Sequence, residues 1–279
     1  LLQMFGTRNG LETLIHMDKP KHLKLRKVST DWFLPRSIEK LEIEIRALAK
    51  EFVDKMFELG NECDFVRDIA MYYPLRVILS ILGLPRDAEE TMLTLTQELF
   101  GGQDPTLQRG EDMESGLGVL SDFGEFFNDV IEEKKSNPTD DLASVLANAI
   151  VDGEPMNTLD QMSYFIITAT AGHDTTSAAI SGGMKALIDH PEQLELLRAN
   201  PLLDMNAAKE MIRWTSPVRH MVRTATADIQ IRGKDIKSGD NLALWYPSAN
   251  RDPDAFESPN TLDFKREAKS QLAFGYGAH

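Results

Sequence analysis

Residues 157–190 constrain this chain more than any other stretch. Thr158 followed by Gln161 has the spacing of a capping box, and Pro191 is a stop directly after His190. Roughly 30 residues rising about 1.5 Å each would make a helix about 45–50 Å long, enough to cross a whole domain. Met162 to Ala171 is apolar or small nearly all round, as in a helix enclosed by a core. Into it the sequence inserts Gly172, His173, Asp174, Thr175 and Thr176. Buried polar groups of that kind cost several kcal/mol unless satisfied. The local pattern leaves two readings open: one long helix with a polar insertion, or a break after Gly172 with Asp174 or Thr175 capping a second helix.

Other helices are predicted from periodicity and punctuation. Asp18-Lys19-Pro20 opens one, with Asp18 as N-cap and Pro20 in the first turn. His22 and Arg26 share a face of it. Residues 36–59 are amphipathic, with Leu41, Ile45, Leu48, Phe52, Val53 and Met56 on the inner side. Asp64 caps a helix over 65–82, which Gly83-Leu84-Pro85 stops, and further helices are predicted over 87–100, 113–135, 140–150, 192–200 and 204–214. Residues 101–110 are polar and glycine-bearing, a surface loop. After Pro217, residues 223–231 and 241–246 have β-type patterning, with turns at Gly233-Lys234 and Ser238-Gly239-Asp240. Residues 248–279 read as an ordered meander. The fold class is mainly α with a small β portion.

The formal net charge of −14 argues against a nucleic-acid partner, which needs a basic surface. Against that background Lys19, Lys21, Lys24, Arg26 and Lys27 form a local basic cluster. No run of about 18 apolar residues is present, so no membrane-spanning helix is expected. The first charges, Arg8 and Glu12, do not suit a signal peptide. The single cysteine, Cys63, excludes an internal disulfide and fits a reducing cytoplasm; set between Glu62 and Asp64, it reads as structural rather than nucleophilic. The chain opens on Leu1 and stops inside a glycine-bearing run, so a fragment lacking both ends is expected.

The histidines are scattered, with no HExxH, no GxSxG and no Walker loop. Glu210 and Arg213 stand at i, i+3, and taken alone are a solvated pair contributing a few tenths of a kcal/mol. Asp174-Thr175 is rarer in an apolar helix. A buried carboxylate beside a hydroxyl can carry a proton from solvent to something bound against the helix. Gly172 removes a side chain where a flat group or small gas molecule could approach the backbone. Ile167, Ala171, Asp174, Thr175 and Ala178 would line that site.

Four segments in this order resemble motifs of the cytochrome P-450 family of haem-thiolate monooxygenases. They are Ala171-Gly172-His173-Asp174-Thr175-Thr176, Glu210-Met211-Ile212-Arg213, Asp263-Phe264-Lys265-Arg266 and Phe274-Gly275-Tyr276-Gly277-Ala278-His279. They are similar to the family's AGx(D/E)T(T/S), its ExxR, its meander arginine and the start of its FGxGxHxC. The resemblance implies a single partial cytochrome P-450 domain over 1–279, incomplete at both ends, with the ligand cysteine expected two residues beyond His279. No metal ligand is thus expected within the chain. It also favours one continuous helix across 157–190, locally widened at Gly172.

The resemblance implies heme b (iron protoporphyrin IX) as cofactor. Asp174 and Thr175 look like the distal acid–alcohol pair that delivers protons during dioxygen activation. Glu210, Arg213 and Arg266 look like the buried charge network behind the haem-binding core, which replaces the solvated-pair reading. His22, Arg26, Arg223 and His279 look like propionate contacts. Phe274 would pack beside the thiolate, and Ala171 and Gly172 would lie against the haem with Ile167 and Ala171 facing substrate. Tyr72-Tyr73-Pro74-Leu75, residues 95–102 and residues 247–252 are most similar to bacterial soluble members acting on small terpenoids, the alpha-terpineol hydroxylase group.

The implied activity is hydroxylation of a small apolar substrate, a monoterpenoid, by dioxygen in the cytoplasm. Electrons would come from NAD(P)H through a ferredoxin reductase and a ferredoxin, with the basic cluster as docking site. The alternatives are a peroxide-driven haem enzyme, a non-catalytic haem-binding protein, and a fragment inactive as it stands.

Overall fold

Caps and glycine stops set the helices. The computed structural model describes residues 12–100, 109–110, 113–267 and 271–278. The chain divides into two compact units, Leu1–Ser177 and Ala178–His279. In the first, α1 (Lys21–Val28) starts after Pro20. Asp18 contributes its backbone carbonyl, to the His22 N–H, and not the expected side-chain cap. The long amphipathic α2 (Pro35–Glu58) buries Leu48 and Phe52. Val53, expected inside, is exposed because it stands one residue past the inward Phe52, about 100° round the helix.

Asp64 accepts from the Arg67 N–H as predicted, but the first turn is a wide π-type segment, Phe65–Ala70, before α3 (Tyr72–Leu82). Next come α4 (Glu89–Phe100), α5 (Met113–Ser136) and α6 (Leu142–Ala147). The helix predicted to reach residue 150 stops at Ala147, because Ile150–Val151 (β1) pairs with Glu154–Pro155 (β2). α7 (Thr158–Ala171) and α8 (Asp174–Asp189) follow, and the division between the units falls inside α8. The core of the first unit joins Leu75, Leu79 and Leu82 to Met92, Leu99, Phe123, Phe127, Leu142, Leu146 and Phe165. The Phe127 ring lies 5.0 Å from that of Phe165 and 6.0 Å from that of Phe123.

One polar knot ties this core together. Gly83 closes α3 in the left-handed region at φ 62°, and a Cβ built on it would collide with the Asp141 carboxyl. Lys134 on α5 reaches the same spot, 2.7 Å from Asp141 Oδ2, 2.9 Å from Thr139 Oγ1 and 3.2 Å from the Gly83 carbonyl. Gly83→Ala therefore carries two penalties, about 1–2 kcal/mol for the backbone conformation and about 1–3 kcal/mol for displacing the carboxylate. Urea denaturation should show a loss in that range, larger than for alanine at Gly60, whose missing Cβ meets nothing.

In the second unit α9 (Pro191–Ala199) starts on Pro191, the residue expected only as a stop, one position before the predicted 192, and α10 (Asp204–Thr215) follows. Ala186, Ala207, Leu262 and Phe264 form its small core. The single strand predicted over 223–231 is two. β3 (His220–Thr224) pairs antiparallel with β6 (Asn241–Trp245), and β4 (Ile229–Ile231) pairs with β5 (Lys234–Ile236). Ala225 separates them by bonding Asp240 and Gly239 at the mouth of the turn. A one-turn α11 (Tyr246–Ala249) leads into a meander of turns, as predicted.

Candidate functional site

The stretch 157–190 is not one helix. Asn157, rather than Thr158, caps α7, accepting from the Asp160 N–H at 2.9 Å, while Gln161 donates to the Ala147 carbonyl. α7 ends at Ala171, Gly172 and His173 form a turn, and α8 begins at Asp174. Gly172 stays in the right-handed region at φ −82°, so the interruption is a local loss of ladder bonds. Two side chains are engaged there. The Thr175 hydroxyl donates to the Ala171 carbonyl at 2.8 Å, as Thr168 and Thr170 do to the carbonyls four residues before them inside α7. The His173 ring is held between the Met71 carbonyl, 2.8 Å from Nε2, and Thr96 Oγ1, 3.0 Å from Nδ1.

Gly172 also works differently from the expectation. A Cβ there would collide with Cδ1 of Ile78 on α3, so the missing side chain admits a neighbouring helix rather than a flat ligand. The adjacent Ala171 is exposed and Ile167 half-buried, leaving an apolar strip that ends at Asp174 and Thr175. The Asp174 side chain is 38% exposed, with Oδ1 3.3 Å from His173 Nδ1. Its Oδ2 is buried without a hydrogen-bond partner. Burial pushes the carboxyl above the usual Asp range, and the charge of His173 partly opposes this. Such a carboxyl can hold a proton nearer neutral pH than a surface aspartate, which suits proton delivery. Isolated histidines have no local sequence signal, and His173 was missed; only its partners on α4 and before α3 reveal it.

In the second unit Glu210 and Arg213 are fully buried. Arg213 grips the carboxylate through Nε (2.7 Å) and Nη2 (2.8 Å), and Nη1 donates to the carbonyls of Asn250 and Pro259. Arg266 Nε adds a bond to Glu210 Oε1 at 3.2 Å, and the Asp263 N–H another at 3.1 Å. The solvated-pair reading of the local spacing is therefore overturned.

Of the remaining predicted residues, His22 is buried and Arg26 exposed on α1. Arg223 on β3 is half-buried, donates to the Val222 carbonyl, and lines a cavity of about 760 Å³ with Trp245, Arg251, Leu272 and Tyr276. Phe274 is 74% exposed and so has no packed position here. His279 lies outside the described residues. Among the described residues no three His, Cys, Asp or Glu side chains converge as a metal site would need, and Cys63, read as structural, is exposed. No described helix is long and apolar enough to cross a membrane.

The basic cluster is less open than the sequence suggested. Lys21 pairs with Glu12 and Asp160, each at 2.9 Å, and Lys24 with Asp152. Their charges are answered within the chain, so an incoming acidic partner would meet three carboxylates alongside them.

The cytochrome P450 family profile matches residues 3–279. A cytochrome P450-terp from Pseudomonas sp is 40% identical over 282 residues, covering 98% of this chain and 66% of that protein. A methyl-branched lipid omega-hydroxylase from Mycobacterium tuberculosis is 34% identical over 280 residues, covering 99% of the chain and 64% of the relative. The crystal structure of CYP108D1 from Novosphingobium aromaticivorans superposes with a TM-score of 0.87 at 44% identity, over 96% of this chain and 64% of that one. The chain thus spans about two thirds of the length of these curated relatives.

Proposed function

The chain belongs to the cytochrome P450 family, and from that membership we propose that the whole protein is a haem-dependent monooxygenase hydroxylating a small apolar substrate. A terpenoid fits best, given the 40% identity to cytochrome P450-terp and the similarity to a hydroxylase of branched lipids. Electrons would arrive from NAD(P)H through a ferredoxin reductase and a ferredoxin, in the cytoplasm.

The observation that carries the reading is the interruption at Gly172-His173. An otherwise buried helix there leaves a carboxyl with raised proton affinity beside a hydroxyl, at the end of an exposed apolar strip. The residues present fit a haem in two respects: the strip at Ile167 and Ala171 suits an apolar group, and the unpartnered Asp174 Oδ2 is a polar atom left over for a proton acceptor bound beside that group. His22, Arg26, Arg223 and His279 would hold the propionates, and Phe274 would lie beside the thiolate ligand. Glu210, Arg213 and Arg266 would hold the framework of the second unit. Bound haem supplies the dioxygen chemistry.

Within that chemistry Asp174 holds a proton at its carboxyl and Thr175 passes protons on through its hydroxyl. That hydroxyl is now bonded to the Ala171 carbonyl, so its oxygen lone pairs are open to accept. Thr175→Ala is expected to lower the fraction of electrons recovered in product severalfold, with the excess appearing as peroxide. Product and peroxide counted per NAD(P)H oxidised give the answer, and unchanged coupling would reject the proton-delivery role. A peroxide-driven enzyme, which brings its own protons and electrons, has no use for the pair.

A second reading concerns the 279 residues alone. The one cysteine of the sequence is the exposed Cys63, with acidic neighbours on both sides. Alone, the chain would be inert and show no thiolate-type carbon monoxide spectrum after haem addition; seeing one would make Cys63 a substitute ligand.

A further inference from the structure

His173 has no part in the reading above, yet it is 1% exposed and sits at the centre of the interruption. Its Nε2 stands 2.8 Å from the Met71 carbonyl. A carbonyl only accepts, so Nε2 carries a hydrogen. Its Nδ1 stands 3.0 Å from Thr96 Oγ1 and 3.3 Å from Asp174 Oδ1. Thr96 has one hydroxyl hydrogen and points it at the Leu93 carbonyl, 3.0 Å away. With that hydrogen committed, Oγ1 can only accept, so Nδ1 also carries a hydrogen, directed at Thr96, and the charged ring lies 3.3 Å from Asp174 Oδ1.

The two oxygens of Asp174 are therefore unlike. Oδ1 is engaged by His173, and Oδ2 is buried with no partner. We propose that His173 is the positioning residue for Asp174, its charged ring facing Oδ1 and leaving Oδ2 as the oxygen that exchanges a proton with a bound ligand or water. This rests on Asp174 acting as proton donor. The imidazole is tied to the residue before α3 and to α4, so the aim of the carboxyl is set by helices other than its own.

The charged groups of the neighbouring elements are engaged elsewhere. On α3, Arg76 pairs with Glu51 and Glu89; on α4, Glu90 accepts from Tyr72 and Glu98 pairs with Arg109. Further along α8, Lys185 pairs with Asp189. On α7, Asp160 pairs with Lys21.

Two substitutions separate the two ends of the ring. His173→Gln keeps a donor for the Met71 carbonyl and removes the Nδ1 side; His173→Asn keeps an amide near Nδ1 and loses the reach to Met71. The direct readout is the Asp174 titration in the folded chain, followed by carbon-13 carboxyl shifts and assigned with Asp174→Asn. Losing an opposing positive charge raises a carboxyl pKa, so the Gln variant should bind the Asp174 proton about tenfold more tightly. The Asn variant should lie closer to wild type.

In the haem-loaded protein, coupling of electrons to product should fall in the Gln variant and be restored in part by Asn. An Asp174 titration identical in wild type and a folded Gln variant overturns the proposal. Should that variant not fold, nitrogen-15 shifts of His173 in the wild type decide instead: an Nδ1 signal indifferent to the Asp174 titration overturns it, and one that moves with it supports it. If the linkage holds but Asp174→Asn leaves coupling unchanged, the pairing stands and the proton-donor reading fails.

Discussion

Glu210→Ala should destabilise the chain by about 3–5 kcal/mol, the range for removing one partner of a buried ion pair. The loss exceeds one hydrogen bond because the carboxylate serves several donors at once. Without it the Arg213 guanidinium keeps its charge at zero exposure, and Arg266 and the Asp263 N–H lose an acceptor. Glu210→Gln is the instructive control. It retains an acceptor oxygen but no charge, and should fall between wild type and alanine. Denaturation of the chain reads the first effect and haem content of the loaded protein the second. Normal stability with normal haem content in the alanine variant would remove the network from the account.

Lys134→Met should be comparably costly, again about 3–5 kcal/mol, for the mirror-image reason. It strips the cation from Asp141, whose side chain is 8% exposed, and leaves Thr139 and the Gly83 carbonyl without their shared donor. The effect has a pH signature. Burial raises the Asp141 pKa, but the bonds from Lys134, Thr139 and Ser144 outweigh it and hold the carboxyl below its usual value. A depressed folded pKa contributes stability that is present above the unfolded value, about 3.9, and is lost as pH falls through the folded one. The gap between wild type and variant should therefore be widest near neutrality and narrow in acid. A gap independent of pH would mean that Lys134 acts through packing alone.

Helix existence was legible in the sequence because periodicity and caps are local: Asp64, Gly83 and Pro191 all do what their types suggest. Side-chain environment was less so. The spacing of Glu210 and Arg213 is the same on a wet helix face as in a core, and what buries them is the chain 37 to 56 residues onward. Only the resemblance anticipated that. His173 shows the limit from the other side. Its partners lie 77 and 102 residues away, so no window along the chain could reveal them. Gly172 was expected to bare the backbone to a flat ligand, whereas the side it bares meets Ile78.

The Arg213 contacts have a consequence for how the meander tolerates change. The guanidinium engages backbone carbonyls of residues 250, 259 and 261, and Arg266 engages those of 257, 258 and 261. The side chains of Glu257, Ser258 and Thr261 point into solvent. The path of this segment is thus dictated by two arginines reading peptide groups, with little reference to the side chains in between. Saturation mutagenesis should find positions 257 and 261 permissive to most polar residues and position 258, at φ 46°, favouring glycine and asparagine, while Arg213 accepts nothing in its place. A stretch almost devoid of regular secondary structure can in this way have a fixed course and a loosely specified sequence.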